Sequence, residues 1–425
     1  MALSYTLRCV ECGKVFDDID KGFLLDCDEK HCSAMLQADY SVDGFEPVTS
    51  VKGIYRYQNW LPIRKTFERS PETIVFQNET ISEKLGLENL YFAFNGYWPE
   101  RNAGMPTASF KELEAASVLA RLPETEERSI VISSAGNTGR AFLEYGSQFK
   151  INTMVVVPEF ALPQMWTTIP KADCVKLVVL KDADYFDAIQ LANHICELEP
   201  FFPEGGAKNV ARRDGMGTVM LAGTEAINAI PDHYFQAVGS GTGAIAAWEM
   251  AWRLITDGQF GQHLPRLHLS QAESFTIMAD AWAKQSRTLP EIPEEEARAA
   301  ARKAYSPVLS NRKPPYGPTG GLFDALAESL GLFYVPTDEQ AKRAGELFQD
   351  LEGIDLDKAA EVCLASLFNA VAEKTINPKD NILVNLTGGG ALRAKADGKT
   401  IPATPDFYFT KEQDNMDDIK AILGS

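Results

Sequence analysis

Short runs at residues 129–133, 153–157, 177–180, 235–238, 267–270 and 382–386, of which 153–157 and 177–180 are rich in β-branched residues, read as strands. Helical periods separate them. Alternation of this kind constrains the chain to an α/β fold with a mostly parallel sheet. Three of the runs end in conspicuous polar loops: Ser134-Ala-Gly-Asn-Thr-Gly139, Gly239-Ser-Gly-Thr-Gly243 and Thr387-Gly388-Gly389-Gly390. In open α/β sheets ligands bind at the carboxyl ends of the strands, which is where all three loops fall.

The segment before residue 44 is different, being short, polar and rich in cysteine. Cys9-Val10-Glu11-Cys12-Gly13 has the form of the first knuckle of a zinc ribbon, and Cys27 and Cys32 offer a second pair. Their C-x4-C spacing is looser than the usual one, and His31 is an alternative ligand. A ribbon-like fold without metal stays open as the other reading. Any zinc there is structural, since four protein ligands leave no free coordination position. Cys174, Cys196 and Cys363 sit in apolar or helical surroundings and read as inert thiols.

Charge narrows the partners. The formal net charge of −18 disfavours nucleic acid and anionic membranes. The first residues lack the basic region and apolar run of a signal peptide, and no apolar run reaches membrane-spanning length, so a soluble, cytoplasmic protein is expected. Anionic substrates would then need a local cation, with Arg101, Arg140, Lys208, Arg312, Lys313 and Arg393 as candidates, Arg140 and Lys313 first among them.

Chemistry enters at Pro106-Thr-Ala-Ser-Phe-Lys-Glu-Leu-Glu114. Ser109 and Glu112 have the S-x-x-E spacing of a capping box, which predicts a helix from Ser109 and puts Lys111 in its first turn. The positive end of the helix dipole disfavours an ammonium there, and only a neutral amine attacks an aldehyde. Gly239, Ser240, Gly241, Thr242 and Gly243, opening onto a helix N-terminus, suit a phosphate monoester; they match neither a P-loop nor G-x-G-x-x-G. Asn137 offers an amide to a phenolate oxygen, and Thr387 a hydroxyl beside a space kept open by glycines.

Lysine, asparagine, glycine loop and hydroxyl in this chain order resemble the fold-type II pyridoxal-phosphate enzymes of the threonine synthase family, over nearly the whole chain. The resemblance implies two open-sheet α/β domains behind an N-terminal zinc-ribbon-like segment. Residues 1–44 form the ribbon, 45–112 with 229–425 the large cofactor-binding domain, and 113–228 the small domain. It implies pyridoxal 5'-phosphate held as a Schiff base on Lys111, with Asn137 on the ring hydroxyl, Gly239 to Gly243 around the phosphate and Thr387 beside the ring nitrogen. Ser134 and Thr138 correspond to the loop that grips the substrate carboxylate. Threonine synthases usually continue the motif as K-D-R, whereas this chain reads Lys111-Glu112-Leu113. That departure leans toward the cysteate synthase branch found in methanogens. There, O-phospho-L-serine and sulfite give L-cysteate and phosphate for coenzyme M synthesis, and a homo-oligomer is expected. Threonine synthesis from O-phosphohomoserine, cysteine synthesis with sulfide and a non-catalytic sensor remain the alternatives.

Overall fold

The computed structural model describes residues 4–18, 23–30, 33–42 and 44–424. A five-stranded sheet sets Phe201–Pro203, Ser129–Ser133, Thr153–Pro158, Val175–Leu180 and Phe407–Phe409 side by side in that order, all parallel. A six-stranded sheet runs Leu332–Tyr334, Arg266–Ser270, His233–Ala237, Asn381–Leu386, Asn89–Phe94 and Ile74–Phe76, with only the last strand antiparallel. Thr153–Pro158 is buried at every position, as expected of a parallel strand covered on both faces. Among the described residues no helix is long and apolar enough to cross a membrane.

One strand crosses the expected division of the chain. Phe407–Phe409 pairs with Val175–Leu180, so the C-terminal strand completes the sheet of the 113–228 segment rather than that of 229–425. It is only three residues long and Tyr408 is exposed, too little for a periodic signal. A charged, alanine-rich stretch forms the helix Glu294–Lys303, with Ala297 alone buried.

The helix Lys111–Arg121 packs against Val210–Ile227 and Asn137–Phe149. The first of these neighbours covers strands of the six-stranded sheet, and the second covers Thr153–Pro158 of the other. The lysine helix therefore lies where the two halves meet, and every residue from Glu112 to Arg121 is buried. The expected capping box does not form: the helix begins at Lys111, and its N-cap position, Phe110, supplies no side-chain bond. Glu112 turns back instead to Thr107, whose N–H and hydroxyl donate to Oε1 at 2.6 and 2.8 Å. Burial decides this, because Glu112 is fully enclosed and its other oxygen accepts from Arg69 at 2.9 Å.

Ahead of these sheets, Tyr5–Cys9 lies between Val15–Phe16 and Leu36–Tyr40 in a small antiparallel sheet. Gly13, at φ 73°, turns the chain beneath Cys9 and Cys12, and its N–H donates to the Cys9 carbonyl at 2.9 Å. Asp18 ties this ribbon to the lysine helix. Its carboxylate accepts from Arg121 Nε at 3.0 Å and Nη2 at 2.8 Å, and from the Tyr5 hydroxyl at 2.6 Å. Burial alone would raise the Asp18 pKa, but the Arg121 guanidinium outweighs it and holds the carboxyl below its usual range.

Asp18→Asn should leave Arg121 buried without its counter-charge and cost about 3–5 kcal/mol, read as a lower urea midpoint. In the wild type the lowered pKa makes this contribution fully present above the unfolded carboxylate value of about 3.9 and lost as pH falls further. The variant's stability should therefore change less between pH 5 and pH 3 than that of the parent. An unchanged midpoint at neutral pH would contradict the assignment.

Candidate active site

Lys111 reaches its place through a turn fastened to a strand end. Phe110 N–H donates to the Thr387 carbonyl at 3.0 Å, and Gly389 N–H donates to the Ala108 carbonyl at 3.2 Å. Ala108 sits at φ 54°, a left-handed conformation unusual for a residue with a Cβ. From there the Lys111 amine projects to 3.3 Å from Glu114 Oε2 and 3.9 Å from Met216 Sδ, and lies 4.5 Å from the Phe110 ring centroid. Burial lowers its pKa, and the nearby Arg212 adds to this while Glu114 opposes it. Local position points to the helix dipole as a cause of this depression, and burial of the amine is a second and independent one.

The loop after Ser129–Ser133 brings Asn137 to the same region. Its Nδ2 donates to Asp357 Oδ2 at 3.4 Å, and Asp357 N–H donates to the Gly388 carbonyl at 3.0 Å. Asn137 Oδ1 accepts from Arg140 Nη2 at 2.8 Å. Arg140 was expected to meet a substrate anion, but the structure commits it to protein acceptors. Nε donates to the Thr107 carbonyl at 2.9 Å, Nη1 faces Gln164 at 3.4 Å, and the guanidinium stacks 4.5 Å from the Trp166 ring. Burial pushes its pKa down to about 10. Arg140 thus braces the asparagine loop against the lysine loop. Ser134 is also occupied, its Oγ accepting from Gly136 N–H at 3.1 Å and Gly139 N–H at 2.8 Å. Thr138 beside it is half-buried and makes no side-chain hydrogen bond among the described residues.

Gly239, Ser240 and Gly241 lead from His233–Ala237 into the helix Thr242–Asp257, with Gly241 at φ 79°. The first N–H groups of such a helix have no intrahelical partner and carry the positive end of its dipole. A Cβ at Gly239 would collide with the Val308 carbonyl, and one at Gly243 would lie 2.5 Å from Gln236 Nε2, so close packing requires both glycines. Beneath them Asn385 Nδ2 donates to Gln236 Oε1 at 3.1 Å, and Asn95 Nδ2 to Asn385 Oδ1 at 2.9 Å, which locks adjacent strand ends together. Thr387, 5% exposed, ends the second of these strands, and its hydroxyl makes no hydrogen bond among the described residues.

The remaining cations sort plainly. Arg101 pairs with Glu352, Lys208 with Asp26, Arg312 with Asp184 and Arg393 with Glu100. Lys313 is exposed, makes no ion pair among the described residues and lies 4.6 Å from the Phe186 ring centroid. The sequence reading missed Asp357, which orients Asn137, and the buried pair Glu114–Arg212 beside Lys111; no local spacing announces contacts so distant in the chain. A half-buried amine, an amide, a hydroxyl without a hydrogen bond among the described residues and a glycine-lined helix N-terminus form a donor set that fits pyridoxal phosphate.

In the ribbon, the thiols of Cys9, Cys12 and Cys27 all lie within 4.8 Å of one another, and Cys12 and Cys27 are 3.7 Å apart. Tetrahedral zinc with Zn–S bonds of about 2.3 Å spaces its sulfurs by about 3.8 Å, so these fit three corners of such a site. Cys32 and His31 lie outside the described residues.

Known proteins resemble this chain in sequence and in fold. Residues 85–388 match the family model described as "Pyridoxal-phosphate dependent enzyme". The cysteate synthase of Methanospirillum hungatei is 44% identical over 408 residues, spanning 96% of this chain and 95% of that one. The cysteate synthase of Methanosarcina barkeri is 41% identical over 419 residues, spanning 98% and 99%. Among solved structures, diaminopropionate ammonia lyase from Escherichia coli superposes with a TM-score of 0.57 at 15% identity, over 78% of this chain and 86% of that one. Serine racemase from Dictyostelium discoideum gives 0.53 at 19% identity, over 75% and 92%. At such identities these two speak for the fold alone.

Purified protein should carry about one zinc per chain, and Cys12→Ser should lower that content severalfold. Chelation should lower the melting temperature of the ribbon. Metal-free protein with an unchanged melting curve would instead establish a ribbon that folds without zinc.

Proposed function

We propose that this chain, which belongs to the family of pyridoxal-phosphate dependent enzymes, converts O-phospho-L-serine and sulfite into L-cysteate and phosphate. Full-length likeness to cysteate synthases is the observation that carries the reading. The S-F-K-E-L-E motif at Lys111 accords with it.

Bound pyridoxal phosphate would supply a carbonyl that condenses with amines and a conjugated ring that spreads the charge left at an α-carbon. Lys111 Nζ would hold that carbonyl, and Gly239, Ser240, Gly241, Thr242 and Gly243 would hold the phosphate with backbone N–H groups. Asn137, steadied by Arg140 and Asp357, would face the ring hydroxyl. Thr387 would sit beside the ring nitrogen. Its neutral hydroxyl keeps no proton there as a carboxylate would, which favours loss of a good leaving group over amino-group exchange.

Once free, the Lys111 amine takes the substrate's α-proton at Nζ, and burial, which lowers its pKa, favours the neutral form that does so. The bond from the β-carbon to the phosphate oxygen then breaks, a carbon–sulfur bond to sulfite replaces it, and Lys111 Nζ returns the proton to the α-carbon. Thr138, whose hydroxyl is unengaged, would receive the substrate carboxylate, with Ser134 shaping that loop. Lys313, unpaired in its loop, would meet the anionic groups at the mouth of the site.

Incubated with O-phospho-L-serine, the protein should release phosphate and form cysteate when sulfite is supplied. Lys111→Ala should reduce turnover by at least about a hundredfold, the low end of what a positioned general base contributes. Preferential formation of cysteine from sulfide, or of threonine from O-phosphohomoserine, would contradict the assignment.

A further inference from the structure

Glu114 stands one helical turn beyond Lys111, fully buried, with Oε2 3.3 Å from the lysine nitrogen. Its other oxygen, Oε1, is buried and among the described residues accepts no hydrogen bond, facing only the Arg212 guanidinium at 3.3 Å. A buried carboxylate with one oxygen short of a hydrogen bond is costly unless nearby cations compensate it. Arg212, reaching in from the helix Val210–Ile227, places Nη1 3.3 Å from both Glu114 oxygens. That guanidinium already has a better partner. Its Nε donates to Glu204 Oε1 at 2.8 Å, Nη2 donates to Glu204 Oε2, and Glu204 Oε2 also accepts from Gly206 N–H at 2.9 Å. Arg212 is thus shared between Glu204 and Glu114, and Glu114 is the carboxylate that also faces Lys111.

We propose that Glu114 is the positioning residue for the free Lys111 amine: it receives the lysine ammonium whenever Nζ is not bound to the cofactor, while Arg212 limits how tightly that ammonium is held. The inference rests on the reading of Lys111 as the cofactor lysine. When Lys111 takes up a proton, the ammonium gains a counter-ion at 3.3 Å without moving into solvent. Glu114 alone would hold that proton too firmly for it to be passed on. The positive charge of Arg212 on the far side of the carboxylate weakens the hold. The charged and titratable groups that face this cluster are Glu114 from the lysine helix, Arg212 and Glu204 from beside Val210–Ile227, and Tyr185 from the start of Tyr185–Ile195.

The test is the pH dependence of Lys111 labelling by an amine-reactive acylating reagent, in the full-length protein freed of cofactor and mapped by mass spectrometry. Glu114→Gln removes the counter-ion and leaves Arg212, so the midpoint should fall by about one pH unit and labelling below the midpoint should quicken about tenfold. Arg212→Met should move the midpoint the other way and slow labelling. A purely structural role would not produce opposite shifts. A midpoint in Glu114→Gln that stays or rises overturns the proposal. If that variant does not fold, Arg212→Met decides, with a rise supporting the proposal and no change or a fall overturning it. Added pyridoxal phosphate should protect Lys111 in the wild type. Lack of protection would instead overturn the assignment of Lys111, which separates the two failures.

Discussion

Backbone hydrogen bonds join the turn before Lys111 to the end of Asn381–Leu386, and the site is organised around them. Phe110 donates to Thr387 at 3.0 Å and Gly389 donates back to Ala108 at 3.2 Å. The turn thus extends the strand end, and Lys111 and Thr387 cannot move independently. Asp357 fastens Asn137 to the same glycine run through Gly388. The glycine loop is tied in from the other side by Gln236 and Asn385, which bridge neighbouring strands. The lysine turn and the glycine loop are held by backbone and amide groups, which bear no charge, while Asn137 is held by the charged side chains of Asp357 and Arg140.

Charge is concentrated one layer away, in a helix buried along almost its whole length. Glu112 pairs with Arg69, Glu114 with Lys111 and Arg212, and Arg121 with Asp18. Arg69, Arg212 and Asp18 tie the helix to three different parts of the chain: the segment before the first sheet, the helix Val210–Ile227, and the ribbon. Buried pairs add little net stability but are costly to break on one side. Their effect is to fix where the helix sits, and with it the lysine at its first position. Acting through the Asp18–Arg121 pair, the ribbon supports the site without contributing to the chemistry.

Elements marked by their own residues were legible in the sequence. The β-branched runs became strands, and the glycine loops fell at their carboxyl ends. Where local pattern and tertiary contact competed, the pattern lost. Glu112 had the spacing of a cap but was drawn to Thr107 and Arg69 by burial. Arg140 carried a charge that suited a substrate, yet it lies behind Asn137, where backbone carbonyls claim it. Phe407–Phe409 is too short to carry a period and took its place from the free edge of Val175–Leu180. Asp357 and Arg212 became visible only when the chain was folded, because their partners are more than ninety positions away.

The central claim is that Lys111 is the residue joined to pyridoxal phosphate. Reduction of the protein as isolated with sodium borohydride, followed by peptide mapping, tests it most directly. The account predicts a phosphopyridoxyl group on the peptide containing Ser109-Phe110-Lys111-Glu112, in roughly one copy per chain. A label on any other lysine, or none in protein that retains the cofactor, would contradict it.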